Sequence, residues 1–242
     1  SASYNKLRKF PNIFKEAKSV IDNIDLSYNQ IANFTEEETA AFHGVFVETL
    51  TLTGNTGITK FPKWLADSES QVAYIILRGC GITEIPEGSF KGKYSNQFVS
   101  LDLTYNRLSK LPDEFNALQL PNLYGLDISQ NAFSKFPTGP LTCKGLTILG
   151  IRGQRDADGE RCLREWPTGL YNHVGLRGFY IGSNDLRKID DTISTAIWTL
   201  DISDNPNITF DASAVCYYWQ QGVYNLIYDK TQNILNCDKM LE

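Results

Sequence analysis

Short alternations of apolar and polar residues recur along the chain at near-constant spacing. They are clearest in FVSLDLTYNRLSKLPDEF (98–115) and LYGLDISQNAFSKFPTG (123–139), where single residues separate Leu101 from Leu103 and Leu126 from Ile128. A period of two places the Leu residues on one side and the Asp and Ser residues on the other, so each core predicts a short strand with one buried and one wet face. The same frame fits from Ile21, Val47, Val72, Leu146, Leu176 and Ile197, giving eight full copies. A polar pivot ends each strand: Asn29, Asn55, Cys80, Asn106, Asn131, Gln154, Asn184 and Asn205, spaced by about 25 residues on average.

Both ends read as broken copies. Tyr4-Asn5-Lys6-Leu7 with Phe10, Pro11 and Phe14 repeats the offsets of Tyr105-Asn106-Arg107-Leu108 with Leu111, Pro112 and Phe115. Residues 1–20 are therefore expected to be a truncated repeat whose upstream sequence has been removed. Residues 21–211 hold the eight full repeats. In 212–242, Val223, Leu226, Tyr228, Thr231, Ile234 and Cys237 fill the slots loosely, as a degenerate capping copy would, because a terminal repeat meets water on its outer side. The whole of 1–242 is expected to be one domain.

The recurring line L-x-x-L-x-L-x-x-N/C-x-L, followed in the better copies by x-x-L-P-x-x-x-F, resembles the leucine-rich-repeat family over nearly the whole chain. The resemblance implies an α/β repeat fold, a curved right-handed solenoid with parallel strands on its concave face and mostly irregular or short-helical convex arms. The pivot amide, with donors and an acceptor, suits the backbone of its own and the neighbouring turn. In the arms, Thr35 with Glu38 predicts a capping box, Pro62, Pro86, Pro112, Pro137 and Pro167 punctuate the turns, and Phe42, Phe90, Phe115 and Leu141 are expected in the outer core. The style of the repeats resembles bacterial surface proteins or lipoproteins of the Bacteroidetes type, implying a secreted or surface-anchored place. Two Asn-x-Thr sequons, at Asn33 and Asn207, suit a eukaryotic ectodomain equally.

Composition removes several alternatives. With 42% hydrophobic and 21% charged residues the chain can bury a core, and no apolar run reaches the ~18 residues a membrane span needs. A net charge of -5 opposes phosphate neutralisation, so no nucleic-acid partner is expected. Five Cys and two His show no zinc-ligand spacing. Cys80 and Cys143 read as core thiols, Cys162 as free, and Cys216 with Cys237 either as a disulfide or as two further thiols. No phosphate loop, nucleophile elbow or metalloprotease motif occurs, and neither His43 nor His173 has a catalytic partner at motif spacing. The chain is expected not to be an enzyme and to need no cofactor.

What remains is recognition. The family places partners on the non-core strand positions, where Tyr74, Ile76, Arg78, Ile148, Arg152 and Tyr180 break an otherwise small and polar pattern with residue types enriched at binding hot spots. Asp102 and Asp127 form an acidic floor between them, and Lys60, Lys110, Lys135 and Lys188 form an outer solubilising stripe. The segment GQRDADGERC (153–162) inserts about seven residues relative to its neighbours and should protrude at the rim beside the concave face. Within it Asp156, Asp158 and Glu160 form a weak calcium-loop candidate, whose spacing favours a solvated Asp-Gly turn. These features predict a monomer that binds a protein or peptide. A glycan- or peptidoglycan-binding surface protein and an intracellular scaffold are the alternatives.

Overall fold

The computed structural model describes residues 1–11, 20–32, 34–67, 72–189, 196–210 and 225–229. Its strands are β1 (Ile21–Asp25), β2 (Val47–Thr51), β3 (Tyr74–Ile76), β4 (Ser100–Asp102), β5 (Gly125–Asp127), β6 (Ile148–Gly150), β7 (Gly178–Tyr180), β8 (Lys188–Ile189), β9 (Thr199–Asp201), β10 (Thr209–Phe210) and β11 (Asn225–Ile227). Nine of them form one parallel sheet in the order β1-β2-β3-β4-β5-β6-β7-β9-β11, while β8 and β10 pair separately on the return arms. Every strand follows its predecessor in sequence, as in a solenoid built from one repeated turn.

The register is uniform. Leu50, Ile75, Leu101, Leu126, Leu149, Phe179 and Leu200 lie side by side and are buried, as the alternation requires. Burying one such side chain contributes about 1.5–3 kcal/mol. Behind them runs a phenylalanine spine, in which Phe61 and Phe115 pack tilted and edge-on against Phe90 with centroids 5.2 and 4.9 Å apart. Phe42 joins this outer core, whereas Leu141 is only half-buried against it. The capping box on α1 (Glu36–Phe42) is formed, and Glu38 also accepts the Phe10 amide through its second oxygen. Among the described residues no helix is long and apolar enough to cross a membrane.

The pivots join the turns. Asn106 Oδ1 accepts the amides of Cys80, Gly81 and Ile82 from the preceding repeat, and its Nδ2 donates to Leu77, Leu103 and Thr104 carbonyls at 2.8–3.2 Å. Gln154 reaches across in the same manner, to the Phe133 amide and the Ile128 carbonyl. Cys80 manages less: its thiol donates to the Leu52 carbonyl at 3.2 Å, and the Ile58 amide turns back to Asn55 instead. The residue before each pivot is left-handed in the nine copies whose pivot is described. Glycine serves at 54, 79 and 153, but Tyr4, Tyr28, Tyr105, Gln130, Ser183 and Asp204 hold φ of 51 to 58°. This row turns the chain from strand to arm and forms the strand-exit rim.

Candidate functional site

Cross-strand neighbours set the relief of the concave face. Tyr74, Ser100, Gly125 and Ile148 share one row across β3 to β6. Tyr74 and Ile148 stand out, 38% and 43% exposed, while Gly125 between them is buried under Ser100. The row is thus two apolar shoulders with a dip. Ile76, in the adjacent row, is half-buried.

The remaining concave residues make contacts inside the protein. Asp102 accepts the Thr104 amide and hydroxyl, and Asp127 accepts the Ser129 amide, each through one carboxylate oxygen. The Asp-x-Ser/Thr pattern is thus a turn device at each strand end, repeated at Asp25 and Asp201. Burial pushes the Asp127 carboxyl above its ordinary range, against its bonds to Ser129. Arg152 pairs with Asp201 and lies 5.1 Å from the Tyr180 ring, while Tyr180 itself folds over Gly178. Arg78 leaves the face and covers Tyr105 at 4.5 Å on the rim. Asp201, only 1% exposed, belongs to this network although its sequence pattern matches that of the more accessible Asp25.

The insertion is a hairpin. Arg155 and Arg161 bridge antiparallel, Gly159 takes φ +82°, and Asp156 Oδ1 accepts the amides of Asp158 and Glu160. Asp156 therefore organises the turn, and among the described residues no group of three His, Cys, Asp or Glu is placed to hold a metal. Arg155 donates to the Ser183 carbonyl, and Arg161 to the Asn184 and Asp204 carbonyls and the Asp204 carboxylate. These bonds pin the hairpin toward the C-terminal repeats.

His173 is structural. Its Nδ1 accepts the Leu176 amide at 3.0 Å and its Nε2 faces the Cys143 carbonyl, which makes Nε2 the protonated nitrogen. Cys80, Cys143 and Cys162 are free, and burial pushes the Cys80 thiol up to about 12. The proposed Cys216–Cys237 pair lies outside the described residues, as does Asn33. Asn207, the other sequon, donates to Asp185 at 2.7 Å. On the outer stripe Lys60 pairs with Glu84 at 3.1 Å, and Lys110, Lys135 and Lys188 are exposed.

Residues 97–118 match the family profile described as Leucine Rich Repeat. A leucine-rich repeat protein from Bacteroides thetaiotaomicron is 42% identical over 98% of this chain, with a TM-score of 0.88. Another, from Bacteroides eggerthii, is 46% identical over 98%, with a TM-score of 0.87. The chain belongs to the leucine-rich-repeat family. It spans 29% and 40% of the lengths of those two Bacteroides leucine-rich-repeat chains, less than half of either. A chain of a TLR13–ssRNA13 complex, 21% identical over 97% of this chain and spanning 36% of its own length, has a TM-score of 0.67 and shows the shared fold alone. No curated relative matches. Leucine-rich-repeat proteins are generally recognition modules, and this one carries the bacterial, Bacteroidetes-type form of the repeat.

Proposed function

We propose that this leucine-rich-repeat protein is a non-enzymatic recognition module that seats an extended segment of a protein partner across β3 to β6 of its concave face. The observation that supports this reading is the row of Tyr74, Ser100, Gly125 and Ile148. Three strand steps separate the two exposed shoulders, about 14 Å. That span fits four or five residues of extended chain, with apolar side chains packed on the shoulders and the backbone in the dip.

Arg152 supplies orientation. Its side chain remains 43% exposed while Asp201 and Tyr180 hold it in place, so little side-chain entropy is lost when it contacts an acceptor. Asp102 and Asp127 offer their second carboxylate oxygens to donors. The protein acts as a monomer at a bacterial cell surface, a placement supported by the repeat style shared with the Bacteroides proteins. Its acidic net charge of -5 disfavours a nucleic-acid partner.

The test is selection of peptides from a random library on the immobilised protein. Binders should lose about fivefold or more in affinity with Tyr74→Ala or Ile148→Ala and be unaffected by Lys110→Ala or Lys135→Ala. Binders sensitive to the lysines and indifferent to the concave residues would sink the reading. Protease shaving of intact native cells tests the location, and full protection of the protein would overturn it.

A further inference from the structure

Between the pinned hairpin and the strand-exit rim lies a cavity of about 630 Å³, separate from the concave row. Tyr105 and Arg107 border one side, Gln130 the floor, and Arg155, Asp156 and Ala157 the other side. Its size is that of a site for one or two sugar rings or a comparable small molecule.

Three observations define what it would take. The first is charge: Arg78, Arg107 and Arg155 gather around it against Asp156 alone, on a protein of net charge -5. Arg107 is exposed and enters no ion pair among the described residues, so its guanidinium is available to a ligand. The second is the aromatic wall. Tyr105 is 53% exposed, and the Arg78 guanidinium 4.5 Å from its ring holds it upright. A ring so placed suits the C–H face of a saccharide.

The third observation concerns the backbone. The amides of Tyr105, Arg107, Gln130, Ala132, Gly153 and Arg155 all donate to carbonyls of neighbouring turns, and the Leu108 amide donates to Asn131 Oδ1. These seven amides are therefore already engaged and do not run alongside a peptide, as strand addition requires. Recognition then rests mainly on side chains spread around the cavity: one unpaired cation, one amide, one carboxylate with an oxygen to spare, and one aromatic face. A ligand that matches this set carries an anionic group and several hydroxyls on a ring.

We propose that this rim cavity binds a uronic-acid residue of an anionic saccharide. Its carboxylate pairs with Arg107, its hydroxyls donate to Asp156 and exchange hydrogen bonds with Gln130, and its C–H face rests on Tyr105. The hairpin is the wall that closes the site, and its bonds to Ser183, Asn184 and Asp204 keep it standing without a ligand. The site does not depend on the concave-face reading, and either can fail alone.

Titration of the intact protein with trigalacturonic acid, maltotriose and triglutamate, followed by calorimetry and amide chemical-shift mapping, tests the assignment. The expected result is binding of trigalacturonic acid, with shifts centred on residues 105–107, 130–132 and 155–157, and weaker binding of the neutral sugar. Arg107→Ala removes a charge-assisted contact and should weaken it about tenfold or more. Tyr105→Gly removes the aromatic face while keeping the left-handed backbone, and should weaken it too, whereas Ile148→Ala should not. Failure of trigalacturonic acid to bind at millimolar concentration, equal binding of triglutamate or of maltotriose, or indifference to Arg107→Ala would each overturn the proposal.

Discussion

Arg152, two residues beyond β6, pairs with Asp201 in β9 by reaching over the intervening β7. The reach is open because position 182, after β7, is glycine: a Cβ there would stand 3.0 Å from Asp201 Oδ2. Asp201 is 1% exposed and depends on this countercharge. Arg152→Ala should therefore destabilise the protein by about 1–3 kcal/mol, less than for a fully buried pair because the arginine side chain is partly exposed. Adding Asp201→Asn should recover much of the loss. Urea denaturation measures both, and equal stabilities for wild type and Arg152→Ala would refute the role.

Asn106 satisfies six backbone groups in two repeats. Its replacement by Ala orphans buried donors and acceptors, an expected cost of at least about 1–3 kcal/mol. Cys80→Ala, at a pivot whose thiol makes only weak bonds, should cost less. Chemical denaturation that ranks the two in the opposite order would contradict the ladder.

Burial holds the Asp127 carboxyl above its ordinary value of 3.8, so the folded protein binds this proton more tightly than the unfolded chain does. The ionised group thus subtracts stability at neutral pH. The penalty fades as pH falls through the raised value toward 3.8. Asp127→Asn keeps an acceptor for the Ser129 amide and should be the more stable protein near neutral pH, with the advantage gone at about pH 3.5. Thermal melts across that range check it. A variant no more stable than wild type at neutral pH would show that the charge carries no penalty.

At the rim, Gly153 has φ +62° and lies beneath the Gln130 side chain. Gly153→Ala should cost about 1–2 kcal/mol from the left-handed backbone, plus the displacement of Gln130. In a Gln130→Gly background the displacement vanishes and the backbone cost remains. Additive losses in a double-mutant cycle would mean the two residues do not touch.

Much of the fold was legible because each element repeats the same physical requirement. The Leu-x-Leu cores and pivots recur since every strand has one buried face and every turn needs the same amide. The relief of the concave face was harder to read. Asp25 and Asp201 share one pattern, and only the arginine arriving from β6 buries the second. Arg78, Arg152 and Tyr180 stood out by type, but their contacts depend on which neighbours lack a Cβ. The left-handed rim did leave a signal, glycine at 54, 79 and 153 in the slot where other copies carry Tyr, Gln, Ser or Asp. The hairpin was visible as extra length, whereas its lean depends on carbonyls of Ser183, Asn184 and Asp204 far along the chain.

Held by the Asn131 and Phe133 carbonyls on one side and by Ser183, Asn184 and Asp204 on the other, the hairpin acts as a caliper. Its free jaw faces Tyr105 and Arg107, four turns from the carbonyl of Asp204 that holds its root. The gap between the jaws thus follows the bend of the coil across the turns that the hairpin ties together. Tension that straightens the coil must widen the gap, and an occupant gripping both jaws must in turn stiffen the coil against tension.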